Sequence, residues 1–320
     1  MLRLRRVILA GLVAFAAACG KGPPRPLEEL RILHAAGLTP LVDALREDCA
    51  RTLGIEIVNE PGPSQVVCRK ISELRKPCDL LMLADPELVA ELLGGVASFR
   101  IDFASDSMVL GVGRRAPLVD EAEADWPSVL LRDDVSLARA DEEQAPTGYR
   151  TFFVWKLMEA KRPGLFAALR AKPAQVVENV SILAALLESG SVDYAFLYRS
   201  TCLAQGIRFI ELDPAVNLGN PETDYSAATL ELPVRGTRGD RTLRVAGMPV
   251  YWCLTVPDAE GLPAKTRRFI EYLLMKRSGL LEALGLRPLA PPVLRGRTGA
   301  ATQRARDLLG TLVRFGGDLR

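Results

Sequence analysis

Apolar and polar positions after residue 30 follow a pattern of short apolar runs separated by amphipathic stretches. Thr39 and Pro40 suit the N-cap and the first position of a helix, and Gly54 suits the end of that helix. Ser64 follows a Pro-Gly-Pro break and suits the N-cap of a second helix. Strands that alternate with helices in this way indicate a parallel α/β sheet. We predict strands at 31–34, 55–59 and 79–83 and helices at 39–53 and 64–74.

A second pattern of the same kind begins near residue 107. It predicts strands at 108–112, 193–197 and 249–256 and helices at 150–159, 164–170, 181–189 and 264–275. Two α/β lobes joined by chain crossings near 103–110 and 245–251 account for this order. We therefore expect one lobe to contain 30–106 and 246–292 and the other to contain 107–245.

The last segment, 293–320, is rich in arginine. It has six arginines against two aspartates, Asp307 and Asp318. Because a run of like charges is most often a solvated surface, we interpret this segment as a peripheral basic extension exposed to solvent.

The first 18 residues have the pattern of a secretory signal. Three arginines precede an unbroken apolar run at 7–18, which is too short to span a bilayer. The run ends in Ala-Ala-Ala-Cys at Cys19, which resembles the lipobox of bacterial lipoproteins and implies that Cys19 is lipidated. Ordinary cleavage after the same alanines is the alternative. We predict a signal peptide at 1–18, a lipid-anchored tether at 19–29, and an exported protein on the membrane, facing the periplasm or the cell exterior.

The composition is that of an ordinary globular protein, and it excludes several functions. The 320 residues include 41 Lys plus Arg and 39 Asp plus Glu, so the net charge of +2 gives no field to hold a nucleic acid. His34 is the only histidine, which rules out His-based catalytic triads and HExxH zinc sites. Neither GxGxxG nor a P-loop occurs. We predict no nucleic-acid partner, no metal and no cofactor.

The cysteines leave one enzymatic hypothesis open. Once Cys19 carries lipid, five cysteines remain, and no CxxC pair occurs among them. Buried structural thiols are the simpler interpretation. An activated thiol is the alternative, and Cys68 is its candidate because it lies one turn into the helix that Ser64 caps. We predict that the protein is not an enzyme.

Two predicted helix starts suit an anion. Helix N-termini present unpaired N–H groups and a partial positive charge. The loops ending in Thr39 and Ser64 both follow predicted strands, where ligand loops lie in open α/β sheets. Together they would form an anion site that needs no lysine or arginine.

Short sequence blocks between residues 31 and 291 carry a family resemblance. They include Ile32-Leu33-His34-Ala35, Cys78-Asp79-Leu80-Leu81, Thr147-Gly148-Tyr149-Arg150, Val192-Asp193-Tyr194-Ala195-Phe196 and Pro249-Val250-Tyr251. In content and order these blocks are similar to the periplasmic tungstate/molybdate-binding proteins of ABC importers. The resemblance implies an α/β, two-lobe type II periplasmic binding protein fold. It also implies a monomer that captures a small oxyanion and delivers it to an ABC permease in the membrane.

The resemblance also implies a set of ligand-binding residues. Ser64 with its backbone N–H, the backbone at Gly37, the loop that contains Ala145 and Thr147, and Tyr251 would face the anion. Leu197 lies at a further position of the family's site, and Thr39 joins the predicted ligand-binding residues as part of the first helix start.

Three of these positions depart from the family's pattern. Gly37 stands where the family usually has a serine, so one hydroxyl donor is missing. Ala145 and Leu197 stand where the family places two carboxylates that make the bound metal six-coordinate. We therefore expect four-coordinate binding through hydrogen bonds alone, because a pocket without carboxylates repels a dianion less. The alternative ligand is another anion or a partly apolar organic solute, which the apolar side chain of Leu197 would suit.

Overall fold

The computed structural model describes residues 26–234, 241–257, 262–276 and 278–319, so the predicted signal and Cys19 lie outside the described residues. The strands are β1 (Glu28–Ala35), β2 (Ile55–Gly62), β3 (Leu80–Leu83), β4 (Phe99–Asp106), β5 (Met108–Val112), β6 (Leu137–Ala140), β7 (Gln175–Val177), β8 (Tyr194–Tyr198), β9 (Phe209–Glu211), β10 (Thr229–Val234), β11 (Arg241–Ala246), β12 (Val250–Thr255), β13 (Arg287–Gly296) and β14 (Arg314–Phe315). The helices are α1 (Thr39–Leu53), α2 (Ser64–Ser72), α3 (Glu87–Leu93), α4 (Val119–Leu130), α5 (Pro146–Met158), α6 (Leu165–Ala171), α7 (Val180–Ser189), α8 (Arg199–Gln205), α9 (Ala264–Glu271), α10 (Ser278–Ala283) and α11 (Ala300–Leu309).

Lobe 1 is built on a seven-stranded sheet in the order β14-β13-β4-β12-β3-β1-β2. The strands β2, β1 and β3 run parallel, as the alternating pattern predicts. The later strand β12 enters between β3 and β4 and runs antiparallel to both. One sheet therefore contains strands from both ends of the chain.

Lobe 2 is built on a five-stranded sheet in the order β7-β6-β8-β5-β9. The helix α5 packs against this sheet, and almost all of its first three turns are buried. Its Trp155 and the α4 residue Trp126 both meet the ring of Phe196 edge on. The hairpin β10-β11 forms a separate two-stranded sheet. The α/β two-lobe architecture is thus confirmed.

The start of α5 differs from the sequence-based prediction. The helix predicted from residue 150 begins at Pro146. The sequence pattern missed this start because the first turn of α5 is buried on nearly all sides and is therefore not amphipathic. In the described residues, no helix is long and apolar enough to cross a membrane.

The arginine-rich segment after residue 292 is part of lobe 1, which corrects its interpretation as a solvated extension. The strand β13 spans 287–296 and pairs with β4, and β14 pairs with β13. Leu294, Ala305 and Leu309 are buried in the core. The run of like charges suggested a solvated surface, but these arginines also make contacts within the lobe. The guanidinium carbon of Arg306, for example, lies 4.1 Å from the ring centroid of Phe315.

Candidate functional site

A small cleft lies between the lobes at the carboxyl ends of β1, β2 and β3. Contacts between the lobes close it at one side, where the backbone N–H of Gln65 donates to the carbonyl of Gln144 at 3.2 Å. The cavity has a volume of about 10 Å³, which is room for about one water molecule. It is lined by Ala35, Ala36, Gly37, Gly62, Pro63, Ser64, Ala84, Ala145, Pro146, Thr147, Asn179, Val180, Tyr198 and Trp252.

Four of the seven predicted ligand-binding residues line this one cleft: Gly37, Ser64, Ala145 and Thr147. Ser64 is the first residue of α2, and Ala145 is the residue before α5. Two helix N-termini, one from each lobe, therefore open into the cleft, where their first N–H groups favour negative charge. That these residues bind an anion stays a prediction.

Thr39 and Leu197 lie outside the cleft lining. The Thr39 hydroxyl donates to the carbonyl of Ala36 at 2.8 Å, so it serves the turn that leads into α1. Leu197 is fully buried in β8, opposite Val109 of β5. Leu197 lies on the opposite face of β8 from Tyr198, because successive side chains of a strand alternate between faces.

Tyr251 lines a different and much larger cavity, of about 760 Å³. Its neighbour Trp252 lines the cleft instead. Alternation along β12 explains this placement, since residues 251 and 252 point to opposite sides of the sheet. The large cavity contains charged side chains from lobe 1, among them Arg100 and Asp102, which are buried and lie 3.2 Å apart as an ion pair. Burial raises the pKa of Asp102.

Two aromatic residues that the sequence did not single out for the site form its inner wall. Trp252 is fully buried, and its ring meets that of Tyr198 edge on, with 5.1 Å between the centroids. A Cβ built at Gly37 would lie 2.8 Å from the Trp252 Cη2 atom. The indole therefore fills the space that a serine side chain at position 37 would need. The glycine at position 37, which from the sequence alone indicates only a missing hydroxyl donor, is the one sequence signal that fits a large neighbour.

A buried arginine lies directly behind the cleft. The Arg150 guanidinium donates to the carbonyl of Ala84 at 2.6 Å and to the hydroxyl of Tyr198 at 2.8 Å, and both of these residues line the cleft. Its second terminal nitrogen lies 3.5 Å from Asp85, a carboxylate that also accepts a hydrogen bond from Tyr149. This cluster joins α5 of lobe 2 to the loop after β3 of lobe 1. It places one partly neutralised positive charge beside the site.

A buried carboxylate supports Trp252 where the chain crosses between the lobes. Asp106 ends β4, and its Oδ2 atom accepts hydrogen bonds from the Trp252 indole Nε1 at 3.2 Å and from the Ser200 hydroxyl at 2.5 Å. Its Oδ1 atom accepts from the backbone N–H groups of Ser107 at 2.8 Å and Ser200 at 3.3 Å. Burial raises the pKa of Asp106 to about 6, although the four hydrogen bonds act to lower it.

The activated-thiol hypothesis is not supported. Cys68 is fully buried in an apolar cluster with Val67 and Ile71, and burial raises its pKa well above the usual range of a thiol. The thiolate that a nucleophile needs is therefore disfavoured. Among the residues that the structure describes, no group of three or more His, Cys, Asp or Glu side chains is placed to hold a metal ion.

Two α/β lobes around one cleft define a protein of the solute-binding class. The chain belongs to the bacterial extracellular solute-binding protein family, whose sequence profile matches residues 30–278. This is a family of transport proteins and not of enzymes.

Individual relatives and solved structures agree with this assignment. The chain is 32% identical over 234 residues to a putative ABC transporter molybdenum-binding protein of Haloferax volcanii, covering 71% of this chain and 73% of that protein. It is 26% identical over 283 residues to the molybdate/tungstate-binding protein WtpA of Pyrococcus abyssi, covering 78% and 81%. The periplasmic molybdate-binding protein of Azotobacter vinelandii has the same fold, with a TM-score of 0.58 at 18% identity, over 80% of this chain and 98% of that one.

Proposed function

We propose that this chain captures a small tetrahedral oxyanion of the tungstate and molybdate class in the cleft between its lobes and delivers it to an ABC permease. The observation that carries the proposal is the lining of the cleft. It combines two helix N-termini with the hydroxyl groups of Ser64, Thr147 and Tyr198, and none of the residues described at its surface is a carboxylate. Such a site offers donors to an anion without repelling it.

The relatives support the choice of anion. Proteins named for molybdate and tungstate are similar to this chain over more than two thirds of its length. Because no carboxylate lines the cleft, the metal would keep its four oxo groups, and each oxo group would accept hydrogen bonds from the protein.

Calorimetric titration of the purified full chain with tungstate, molybdate, sulfate and phosphate tests this function. We expect tungstate and molybdate to bind and phosphate to bind more weakly, because the proton of phosphate is best accepted by a carboxylate and no carboxylate lines the cleft. Absence of heat with all four anions would refute the proposal, provided that none of the four anions changes the signal of a dye that reports lobe closure.

We also propose that the protein works at the outer face of a membrane as a lipid-anchored monomer. The basic residues, the apolar run and Cys19 of the sequence support the anchor. Cys19→Ser is expected to release the chain from the membrane fraction, while Cys202→Ser, a buried thiol in α8, serves as the matched control. Retention of the Cys19→Ser variant on membranes would contradict the anchor.

A further inference from the structure

Trp252 occupies the space in which the proposed oxyanion would lie. The remaining volume of about 10 Å³ holds about one water molecule, whereas a tetrahedral oxyanion has four oxygen atoms. The close approach of the indole to Gly37 shows that the edge of the ring reaches the turn after β1. An anion and the indole in this position exclude each other.

We propose that Trp252 is a movable inner wall that fills the anion site when the lobes are closed without ligand, and that its displacement sets which anions the site accepts. This inference rests on the proposed function, since it concerns the same cleft. It assigns to Trp252 a part in the choice of ligand at this cleft.

The backbone at Trp252 is irregular, which favours such a movement. The pairing of β12 with β4 shifts register between Trp252, which faces Ala104, and Cys253, which faces Asp102. A β-bulge of this kind interrupts the ladder and re-aims a side chain, and bulges are common next to functional sites. After the bulge, Cys253 and Leu254 pair with both β3 and β4, whereas Val250 and Tyr251 pair with β4.

The hydrogen bond that holds the indole can be lost without leaving Asp106 unsatisfied. At 3.2 Å the bond from the Trp252 Nε1 atom is long for a hydrogen bond to a carboxylate. Three other donors, two from Ser200 and one from Ser107, still serve Asp106 when the indole leaves. The carboxylate therefore supports the filled position of Trp252 but does not depend on it.

Displacement of Trp252 reduces the apparent affinity for the anion. If the filled form outnumbers the form with the indole withdrawn, only the open fraction of the molecules can bind. The apparent Kd is then the intrinsic Kd divided by that fraction. A smaller side chain at position 252 removes this competition. We therefore expect Trp252→Ala to bind molybdate at least about tenfold more tightly than the native chain, which corresponds to a tenfold excess of the filled form.

The test is a double-mutant cycle at positions 37 and 252, with molybdate as the probe in calorimetry. Gly37→Ser alone is expected to strengthen binding, because its Cβ would lie 2.8 Å from the indole in the filled position and would disfavour that form. Gly37→Ser combined with Trp252→Ala is expected to bind no more tightly than Trp252→Ala alone, since the indole that the serine would displace is already absent. Equal or weaker binding by Trp252→Ala would overturn the inference.

Fluorescence gives a second test that keeps Trp252 in place. The other two tryptophans, Trp126 and Trp155, are packed against Phe196 in lobe 2. A variant with Trp126→Phe and Trp155→Phe reports on Trp252 alone, and saturating molybdate is expected to change its emission and its quenching by acrylamide. Binding without any such change would show that the indole does not move.

The outcomes separate this inference from the proposed function. Molybdate binding by the native chain with an unchanged affinity in Trp252→Ala overturns the inference and leaves the function intact. Binding by both proteins, with the native chain at least about tenfold weaker than Trp252→Ala, supports the inference together with the function. Failure of both proteins to bind any of the four oxyanions overturns the proposed function, and the inference with it.

Discussion

The cleft at Trp252 and the large cavity at Tyr251 lie on opposite sides of β12, and they differ in the charged groups that line them. The cleft at Trp252 is lined by small, apolar and hydroxyl-bearing residues, with the charge of Arg150 held behind them. The large cavity at Tyr251 contains buried charges of both signs that are already paired with each other, as Arg100 is with Asp102. The carboxylates of the large cavity, Glu87 and Asp102 among them, therefore lie beside its arginines and offset their attraction for an anion.

The comparison teaches that volume and suitability for an anion are separate properties. A dianion gains most from preorganised N–H and hydroxyl donors without competing carboxylates, and this description fits the smaller cavity. The larger cavity combines Arg295 with Glu87 and Asp102, and its carboxylates would repel the same ligand.

Removal of the charge behind the cleft is expected to have the largest effect. Arg150→Met leaves Asp85 buried without its cationic partner and removes the donor to Ala84 and Tyr198, so the free energy of unfolding should fall by about 3–5 kcal/mol. Chemical denaturation measures this change. Arg199→Met, which breaks a more exposed pair with Glu211, is the control and should cost at most about 1 kcal/mol. Equal losses in the two variants would mean that the buried cluster has no special role.

Asp106 should give the cleft region a pH dependence. Its pKa is raised to about 6 by burial, so in the folded state the carboxyl group holds its proton at pH values where the unfolded chain has lost it. Its contribution to stability is therefore present below about pH 4 and is lost as the pH rises through 6. The difference in unfolding free energy between the native chain and Asp106→Asn should fall by about 3 kcal/mol over this range. A difference that does not vary with pH would contradict the raised pKa.

Ser64→Ala tests the cleft at the N-terminus of α2. Loss of one hydroxyl donor to a charged ligand should weaken molybdate binding by about 1.5–3 kcal/mol. Ser278→Ala changes the first residue of α10, which does not line the cleft, and should leave the affinity unchanged. Calorimetry on the two variants compares them directly. Equal affinities would remove Ser64 from the anion site.

Tyr251→Phe is expected to have the smallest effect. Because Tyr251 faces the large cavity, loss of its hydroxyl should change the affinity for molybdate by less than about 0.5 kcal/mol. Titration under the same conditions as for Ser64→Ala gives the comparison. A tenfold loss would show that the large cavity takes part in anion binding.

The parts of the fold that depend on local signals could be predicted from the sequence. Thr39 with Pro40 marks the start of α1, and the break before Ser64 marks the start of α2. The same signals brought Gly37 and Ser64 to one cleft, because the carboxyl ends of neighbouring parallel strands meet at one edge of a sheet.

The inner wall of the site could not be predicted, because it depends on long-range pairing. Whether Tyr251 or Trp252 faces the cleft is decided by the register of β12, which a bulge alters. A shift of one residue exchanges the two faces of a strand. The buried partners Asp106 and Ser200 come from positions 94 residues apart, and no local pattern connects them.

The order of strands in lobe 1 has a consequence for how the chain folds. The strand β4 lies between β12 and β13, so its partners on both sides are made more than a hundred residues later. The sheet of lobe 2 comes from one continuous stretch between β5 and β9. Contacts between distant residues form slowly, because a long loop must close before they stabilise the chain. Lobe 2 can therefore fold as soon as its own residues are released, whereas β4 has to wait for the last third of the polypeptide.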